Sequence, residues 1–363
     1  MYNIPFIDLK KQYLNYKKDI KRNLSKIIKT TSFIGGQVQE LESILSEFIG
    51  VKHSIACSSG TDALVLALMA LNIKNGDEVI TTPYTFIATA EAISLVGATP
   101  VFVDIDPRTF NINSKLIEEK ISKRTKAIMP VSLFGQLADM DEINKIAKKY
   151  NLFVIEDAAQ SFGAEQNGIK SCNHSIVATT SFFPAKPLGC YGDGGAIFTN
   201  DDDLALKMRQ LLNHGQTEKY VHKYIGLNGR LDGMQAAVLI AKMKYFKKEI
   251  MKRNLIAKLY SKELKGVTIP YVLENNLSVW AQYCVLTERR DELQAYLKKN
   301  GVPTMIYYPI PIHLQEAYSN LGHKNDDFPI AESISKKILA LPMSAFLNPK
   351  HQKYIIEVLN EFN

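Results

Sequence analysis

Cysteine is scarce. The four thiols, Cys57, Cys172, Cys190 and Cys284, include no C-x-x-C pair. That excludes a disulfide framework and a thiolate metal site, and it fits a reducing compartment. Long apolar runs are absent: a stretch such as Ala63 to Leu71 is far too short to span a bilayer. The opening MYNIPFIDLKKQYLNYKK has no apolar segment of the secretory kind, so a soluble cytoplasmic protein is expected, with no membrane partner. No G-x-G-x-x-G opens a helix, which argues against a nicotinamide dehydrogenase. No charge of one sign dominates. The 44 Lys and Arg against 37 Asp and Glu leave +7, mixed along the chain, which mildly favours anionic ligands and does not call for nucleic acid. Repeats and low-complexity segments are missing as well.

With 46% hydrophobic and 22% charged residues in 363, the chain can bury a real core, and its length suits two domains. From about residue 37 to 250, helix-period segments alternate with short apolar runs. The runs are Glu78 to Thr81, Pro100 to Val103, Ala127 to Val131, Leu152 to Ile155, Ile176 to Ser181 and Gly195 to Thr199. Such alternation predicts an α/β domain on a mostly parallel sheet. Residues 232–264 read as one long helix, or two broken near Phe246, carrying Lys242, Lys244, Lys247, Lys248, Lys252, Arg253 and Lys258 on what reads as a solvated face. Beyond 265, strands at Val267 to Ile269 and Ala281 to Leu286 mix with helices at Glu288 to Lys299 and Glu332 to Leu339, predicting a smaller α+β unit.

In parallel α/β sheets, ligands sit beyond the carboxyl ends of the strands, so the chemistry is sought there. Cys57 to Asp62 runs into a helix, and its free N–H groups suit either a phosphate or simple capping by Thr61 or Asp62. Glu156 and Asp157 end a buried strand. A carboxylate there is costly unless paired, and it can cap the next helix, bind a metal or meet a cation such as a protonated ring nitrogen. Lys186 lies between Pro184 and Pro187 with apolar and aromatic flanks. It is either a surface charge or an amine able to shed its proton and form a Schiff base. Phe86, after the Glu78 strand, is either core or a platform for a flat ring. Together, a phosphate cradle, a ring platform, a carboxylate and a lysine meet the demands of pyridoxal 5′-phosphate (PLP).

The motifs SSGTDAL (58–64), TPYTFIAT (82–89), VFVDIDPRTFNI (101–112), VIEDAAQSFGA (154–164), SFFPAKPLGCYGDGGAIFTN (181–200) and NGRLDGMQAA (228–237) occur in order. With them the chain resembles the DegT-family sugar-nucleotide aminotransferases, within the aspartate-aminotransferase-like, fold type I, PLP enzymes. The likeness runs from Phe6-Ile7-Asp8-Leu9 to Leu341-Pro342-Met343. It implies a large PLP-binding catalytic domain over 1–250 and a small α+β domain over 251–363. By position, Lys186 matches the lysine that holds PLP as an imine, and Asp157 matches the acid facing the pyridinium nitrogen. Gln160 matches the residue near the 3-hydroxyl, Gly60, Thr61 and Ser181 match phosphate ligands, and Phe86 takes the stacking place. Asn228 matches a residue given across a homodimer to the neighbouring phosphate, with Arg230 close by.

Some relatives are dehydratases with histidine in place of the lysine, so Lys186 favours transamination. The run SFFPAKPLGCYGDGGA looks like enzymes acting at C3 of UDP-2-acetamido-2-deoxy-3-oxo-D-glucuronate in surface polysaccharide (O-antigen, lipopolysaccharide) biosynthesis. Glutamate is the implied amino donor, leaving as 2-oxoglutarate, and no metal is implied. Tyr307 to Gln315 resembles the family's substrate loop, although Tyr307 stands where histidine is common. Arg230, Tyr307, Tyr308 and His313 are the substrate-contact candidates. Other readings are an aminotransferase for a different 3-keto or 4-keto sugar, UDP- or dTDP-linked, and a non-catalytic PLP- or sugar-nucleotide-binding regulator.

Overall fold

The computed structural model describes residues 2–362. In chain order the elements of the large sheet region are α1 (Leu9–Thr30), α2 (Gln37–Ile49), β1 (His53–Cys57), α3 (Gly60–Ala70), β2 (Glu78–Thr81), α4 (Ala88–Leu95), β3 (Thr99–Phe102), β4 (Thr125–Ile128), α5 (Met140–Tyr150), β5 (Phe153–Asp157), β6 (Glu165–Gln166), β7 (Ile169–Lys170), β8 (Val177–Ser181), β9 (Gly195–Thr199), α6 (Asp202–Leu211), β10 (Gln216–Glu218) and β11 (Val221–His222). There follow α7 (Gly233–Glu263), β12 (Asn276–Leu277), β13 (Tyr283–Leu286), α8 (Arg290–Lys299), α9 (Pro329–Lys337), β14 (Ile338–Leu341) and α10 (Pro349–Phe362).

Seven strands form one sheet in the order β1-β9-β8-β5-β4-β2-β3. β2, β3, β4, β5 and β8 pair in parallel, while β9 runs against both its neighbours. β1, which no apolar run announced, forms the sheet edge with its ladder to β9. Alternation along the strands splits the core in two. Val154 and Ala178 face a layer built by α2, α5 and α7, whereas Ile155 and Val177 face α3, α4 and α6. The same alternation separates the two acids at the end of β5. Glu156 turns into the first layer, where Ser132 Oγ (3.0 Å), Ser171 Oγ (2.8 Å) and the Cys172 amide (2.8 Å) all donate to it. Asp157 turns the other way, toward Thr89 of α4.

Local chemistry sets the helix starts. Ser59 caps α3 by accepting from the Asp62 amide at 3.0 Å, and Asp139 caps α5 through the Glu142 amide at 3.2 Å. α5 buries Met140, Ile143, Ile146 and Ala147 and turns its lysines outward; it ends at Asn151 in the left-handed region. α3 has no polar stripe to show, because sheet and helices enclose it.

α7 is one unbroken helix of 31 residues with no interruption at Phe246. It passes through position 250, so a division there cuts a helix common to both cores. Its first half packs on the sheet, and Ala257, Tyr260 and the following Leu264 pack with β13, β14, α8 and α10. Ile4, from the far N-terminus, also joins this second core. The basic cluster on α7 is not wholly solvated. Lys242 and Arg253 are 2% and 5% exposed, and each donates to a backbone carbonyl, Gly189 and Trp280 respectively. Two further expectations need correction. Val267 to Ile269 forms only a single bridge, Thr268 to Leu286, and the helix expected to reach Leu339 ends at Lys337 because Ile338 to Leu341 pairs with β13. None of the described helices is long and apolar enough to cross a membrane.

A further cluster joins the sheet region to the small-unit core: Tyr84, Phe102, Val131 and Leu133 pack against Cys284, Ile312, Ile334 and Ala340. Asp104 stitches the same joint with hydrogen bonds. Its carboxylate accepts from the first-turn amides of α9, Ile330 at 2.9 Å and Ala331 at 3.0 Å. Asp104→Ala should therefore cost about 0.5–2 kcal/mol, the usual worth of a helix cap, read as an earlier midpoint in urea unfolding.

Candidate active site

Four strand ends converge on one cavity of about 410 Å³, within the range of roughly 300–1,000 Å³ typical of small-molecule sites. The turn after β1 brings Ser59, Gly60 and Thr61, the turn after β2 brings Thr85 and Phe86, β5 brings Asp157, and β8 brings Ser181 and the loop to Lys186. The small unit closes the cavity with Gln282, Tyr307 and Tyr308.

The floor is a helix N-terminus. α3 begins at Gly60, where the first amides have no preceding turn to bond to, and Gly60 and Thr61 line the cavity together with Ser181. A side chain at Gly60 would not fit, since a Cβ there would lie 2.7 Å from Ser181 Cβ. The backbone must pass that close for Ser181 and the α3 amides to face one anion.

Asp157 is 4% exposed. Its Oδ2 accepts from Thr89 Oγ1 at 2.8 Å and its Oδ1 from the Ala159 amide at 3.1 Å. Burial holds this carboxyl above its ordinary range, and the Ala159 and Thr89 bonds, with Lys186 nearby, pull it only partly back. Lys186 shows the mirror image: burial pushes its amine below the ordinary lysine range, and Asp157 raises it in part. Its backbone amide donates to Phe183 O at 2.9 Å, fixing a tight loop, and the side chain opens into the cavity. Burial thus weighs against the charged form of both groups, and each restrains the other in part, the arrangement expected of a nucleophilic lysine and a cation-seeking acid.

Gln160 is held at both ends. Its Oε1 accepts from the Phe134 amide at 2.8 Å, and its Nε2 donates to Tyr308 Oη at 3.1 Å. Phe86 is 55% exposed, its ring toward the cavity and 6.2 Å from that of Tyr308. An aromatic left this open beside a cavity is available to stack. Tyr307 lines the wall, and its carbonyl accepts from Tyr84 Oη at 2.7 Å.

Gly60, Thr61, Phe86, Asp157, Gln160, Ser181, Lys186, Tyr307 and Tyr308 are thus brought together. Three candidates are not. His313 is buried; its Nε2 lies 3.1 Å from Glu332 Oε1, and its ring packs on Phe328 at 4.7 Å, so it serves the joint between the cores and not the cavity. Asn228 and Arg230 sit on a segment that pairs with the end of β1 through backbone, with Ser58 N–H donating to Gly229 O at 2.8 Å and a bridge between Cys57 and Arg230, and neither side chain lines the cavity. Arg230 Nη1 donates to Asn213 Oδ1 at 2.6 Å. Thr89 was missed, although its place in the first turn of α4, three residues past Phe86, was a usable signal. Ile7, within the Phe6-Ile7-Asp8-Leu9 stretch, and Gln282 also line the cavity; nothing local in the sequence marks Gln282. Among the described residues, no group of three or more His, Cys, Asp or Glu side chains could hold a metal ion.

A seven-stranded, mostly parallel sheet with a lysine, an acid, an open aromatic and an anion cradle at its carboxyl edge defines a fold type I PLP enzyme. The chain belongs to the DegT/DnrJ/EryC1/StrS aminotransferase family, whose profile matches residues 15–360. It is 49% identical to the UDP-2-acetamido-2-deoxy-3-oxo-D-glucuronate aminotransferase of Pseudomonas aeruginosa, over 98% of this chain and 99% of that one. Among solved structures it is similar to S. venezuelae DesV in complex with ketimine intermediate, with TM-score 0.98, 36% identity and coverage of 100% of this chain and 99% of that one. It is also similar to NtdA of Bacillus subtilis with bound cofactor PMP, with TM-score 0.93, 32% identity and coverage of 99% and 85%. The chain is accordingly a PLP-dependent sugar-nucleotide aminotransferase. The donor set fits that cofactor: amine, carboxylate, ring platform and anion cradle all face one cavity of adequate size.

Two outcomes follow. Lys186→Ala should abolish turnover and the visible absorbance of the loaded enzyme, and borohydride should fix the cofactor to the peptide holding Lys186. In cofactor-free protein only the neutral amine captures the aldehyde, so the capture rate should rise with pH through the Lys186 pKa. Burial places that midpoint below the ordinary value of about 10.4, and Asp157→Asn, which removes the upward pull of the carboxylate, should move it lower still.

Proposed function

We propose that this enzyme moves the amino group of glutamate to C3 of UDP-2-acetamido-2-deoxy-3-oxo-D-glucuronate, acting in the cytoplasm as a homodimer in surface polysaccharide (O-antigen type) biosynthesis. The observation that carries the sugar assignment is the 49% identity, over nearly the full length of both chains, to the Pseudomonas aeruginosa protein of that name.

When bound, PLP supplies an electron sink for the carbanion that forms at the donor's Cα. The chain's own residues do the rest. Lys186 would hold the cofactor through its amine, and with that bond exchanged for one to the donor's amine, its free Nζ would be the base placed to take the proton from Cα. Asp157, stripped of water and held by Thr89 and the Ala159 amide, keeps a ring N–H protonated; this is stabilisation that strengthens as charge moves into the ring. The α3 amides with Thr61 and Ser181 would hold the phosphate, Phe86 would stack on the ring, and Gln160 would hydrogen-bond the ring's oxygen substituent. Tyr307 and Tyr308 border the space left for donor and sugar.

Charge supports a shared site. Lys186 alone among the described residues lining the cavity carries a basic side chain, yet the cofactor phosphate, the donor carboxylates, the diphosphate and the uronate are all anionic. In this reading a second copy supplies Asn228 and Arg230.

The test is a substrate comparison. Purified, PLP-loaded enzyme with glutamate should aminate the UDP-linked 3-keto uronate with kcat/KM at least about tenfold above that for a dTDP-linked 4-keto-6-deoxy hexose, a difference of about 1.4 kcal/mol in transition-state binding. The reverse order would overturn the sugar assignment. Failure of glutamate to bleach the visible band would favour a non-catalytic regulator.

A further inference from the structure

We propose that Lys242 is a positioning residue for Lys186, acting through the carbonyl of Gly189. The loop from Phe182 to Tyr191 leaves β8, turns at Lys186 and comes back on itself. The Lys186 amide donates to Phe183 O at 2.9 Å, and the Cys190 amide donates to Phe182 O at 2.8 Å. The two limbs meet at Gly189, where a Cβ would lie 2.5 Å from Pro184 O and 2.8 Å from Phe183 O. With so little clearance, the position of Gly189 sets that of Pro184, two residues before the catalytic lysine.

α7 holds the returning limb from outside the cavity. Lys242 Nζ donates to Gly189 O at 2.6 Å and sits 4.6 Å from the centre of the Tyr191 ring. Seven residues earlier on the same face of the helix, Gln235 takes the Tyr191 backbone at both ends, accepting from its amide at 2.8 Å and donating to its carbonyl at 3.3 Å. The limb is thus gripped by side chains from one rigid helix that also runs into the second core. Lys242 is itself 2% exposed. Burial lowers its amine to about 8, with Glu249 and Cys190 pulling it upward. The grip does not depend on its charge, because an ammonium and a neutral amine both donate to a carbonyl. What the site needs is a donor: without one, the Gly189 carbonyl is left buried and unpaired, and the loop relaxes to satisfy it.

The inference rests on Lys186 as the cofactor-bearing lysine, and two variants test it. Lys242→Met keeps the stem and removes the donor, whereas Lys242→Gln keeps a donor without charge. In cofactor-free protein, amide hydrogen exchange at Lys186 and Cys190 should quicken at least about tenfold in Lys242→Met, and in loaded enzyme kcat should fall about tenfold or more with the donor KM within about twofold. Lys242→Gln should recover most of both. If Lys242→Met does not fold, Gln235→Leu, which frees the same limb, carries the same expectation. The proposal is overturned if exchange and kcat stay within about twofold of the parent, if Lys242→Gln is no better than Lys242→Met, or if activity falls only in step with thermal stability while loop exchange is unchanged. The exchange readout needs neither cofactor nor sugar, so its failure is separate from failure of the functional reading, which borohydride labelling of another lysine would overturn.

Discussion

Desolvation of two opposite charges in one cavity is the constraint on which the rest of this structure depends. Asp157 and Lys186 are each driven toward neutrality by burial, and each restrains the other only in part. Left in water, the lysine would stay protonated and the carboxylate would be a weak partner for a ring nitrogen. The fold shields both from bulk water: Asp157 is buried and held by Thr89 and the Ala159 amide, and Lys186 is partly buried at the cavity wall on a looped backbone between two prolines. In the reading proposed above, the cofactor would supply the charge distribution that this pair lacks, and part of the unfavourable energy of burying the pair would be returned when it binds.

The sheet makes that pairing possible by alternation. Two acids in succession at the end of β5 look alike in the chain, but a strand sends them to opposite layers. Glu156 becomes a structural acceptor for Ser132, Ser171 and Cys172, which anchors the strand end, and Asp157 is left facing the cavity. The division of labour follows from the period of two and from what each layer offers. A serine-rich pocket gives one carboxylate three donors, while the other faces the cavity with two donors and Lys186 nearby.

α7 ties these parts together. It buries Lys242, Glu249 and Arg253 in a helix whose other charges face solvent. Each is bound to something that matters for geometry: the Lys186 loop, Gln12 of α1, and the carbonyl of Trp280, two residues before Gln282 in the cavity wall. The helix is common to both cores, so the lysine loop and the wall contributed by the small unit share one rigid reference.

Local pattern by itself determined a good deal. The apolar runs placed most of the sheet, because buried parallel strands must be apolar on both faces. The glycine and serine turns, Asp157, Lys186 and Phe86 were legible as candidates because each sits just past a strand, where a parallel sheet opens. What the chain could not disclose is which polar residues end up buried together, since that depends on contacts between segments far apart in sequence. Lys242 and Arg253 read as surface lysine and arginine until the returning loop and Trp280 covered them. His313 read as a substrate contact until Glu332 and Phe328 enclosed it. Gln282 carries no signal of its own and lines the cavity only because the small unit folds back over the strand ends, while Ile7 reaches it from the segment before α1. Sequence specified the chemical groups and the strand ends that carry them; tertiary packing decided which of those groups lost their water, and therefore which could react.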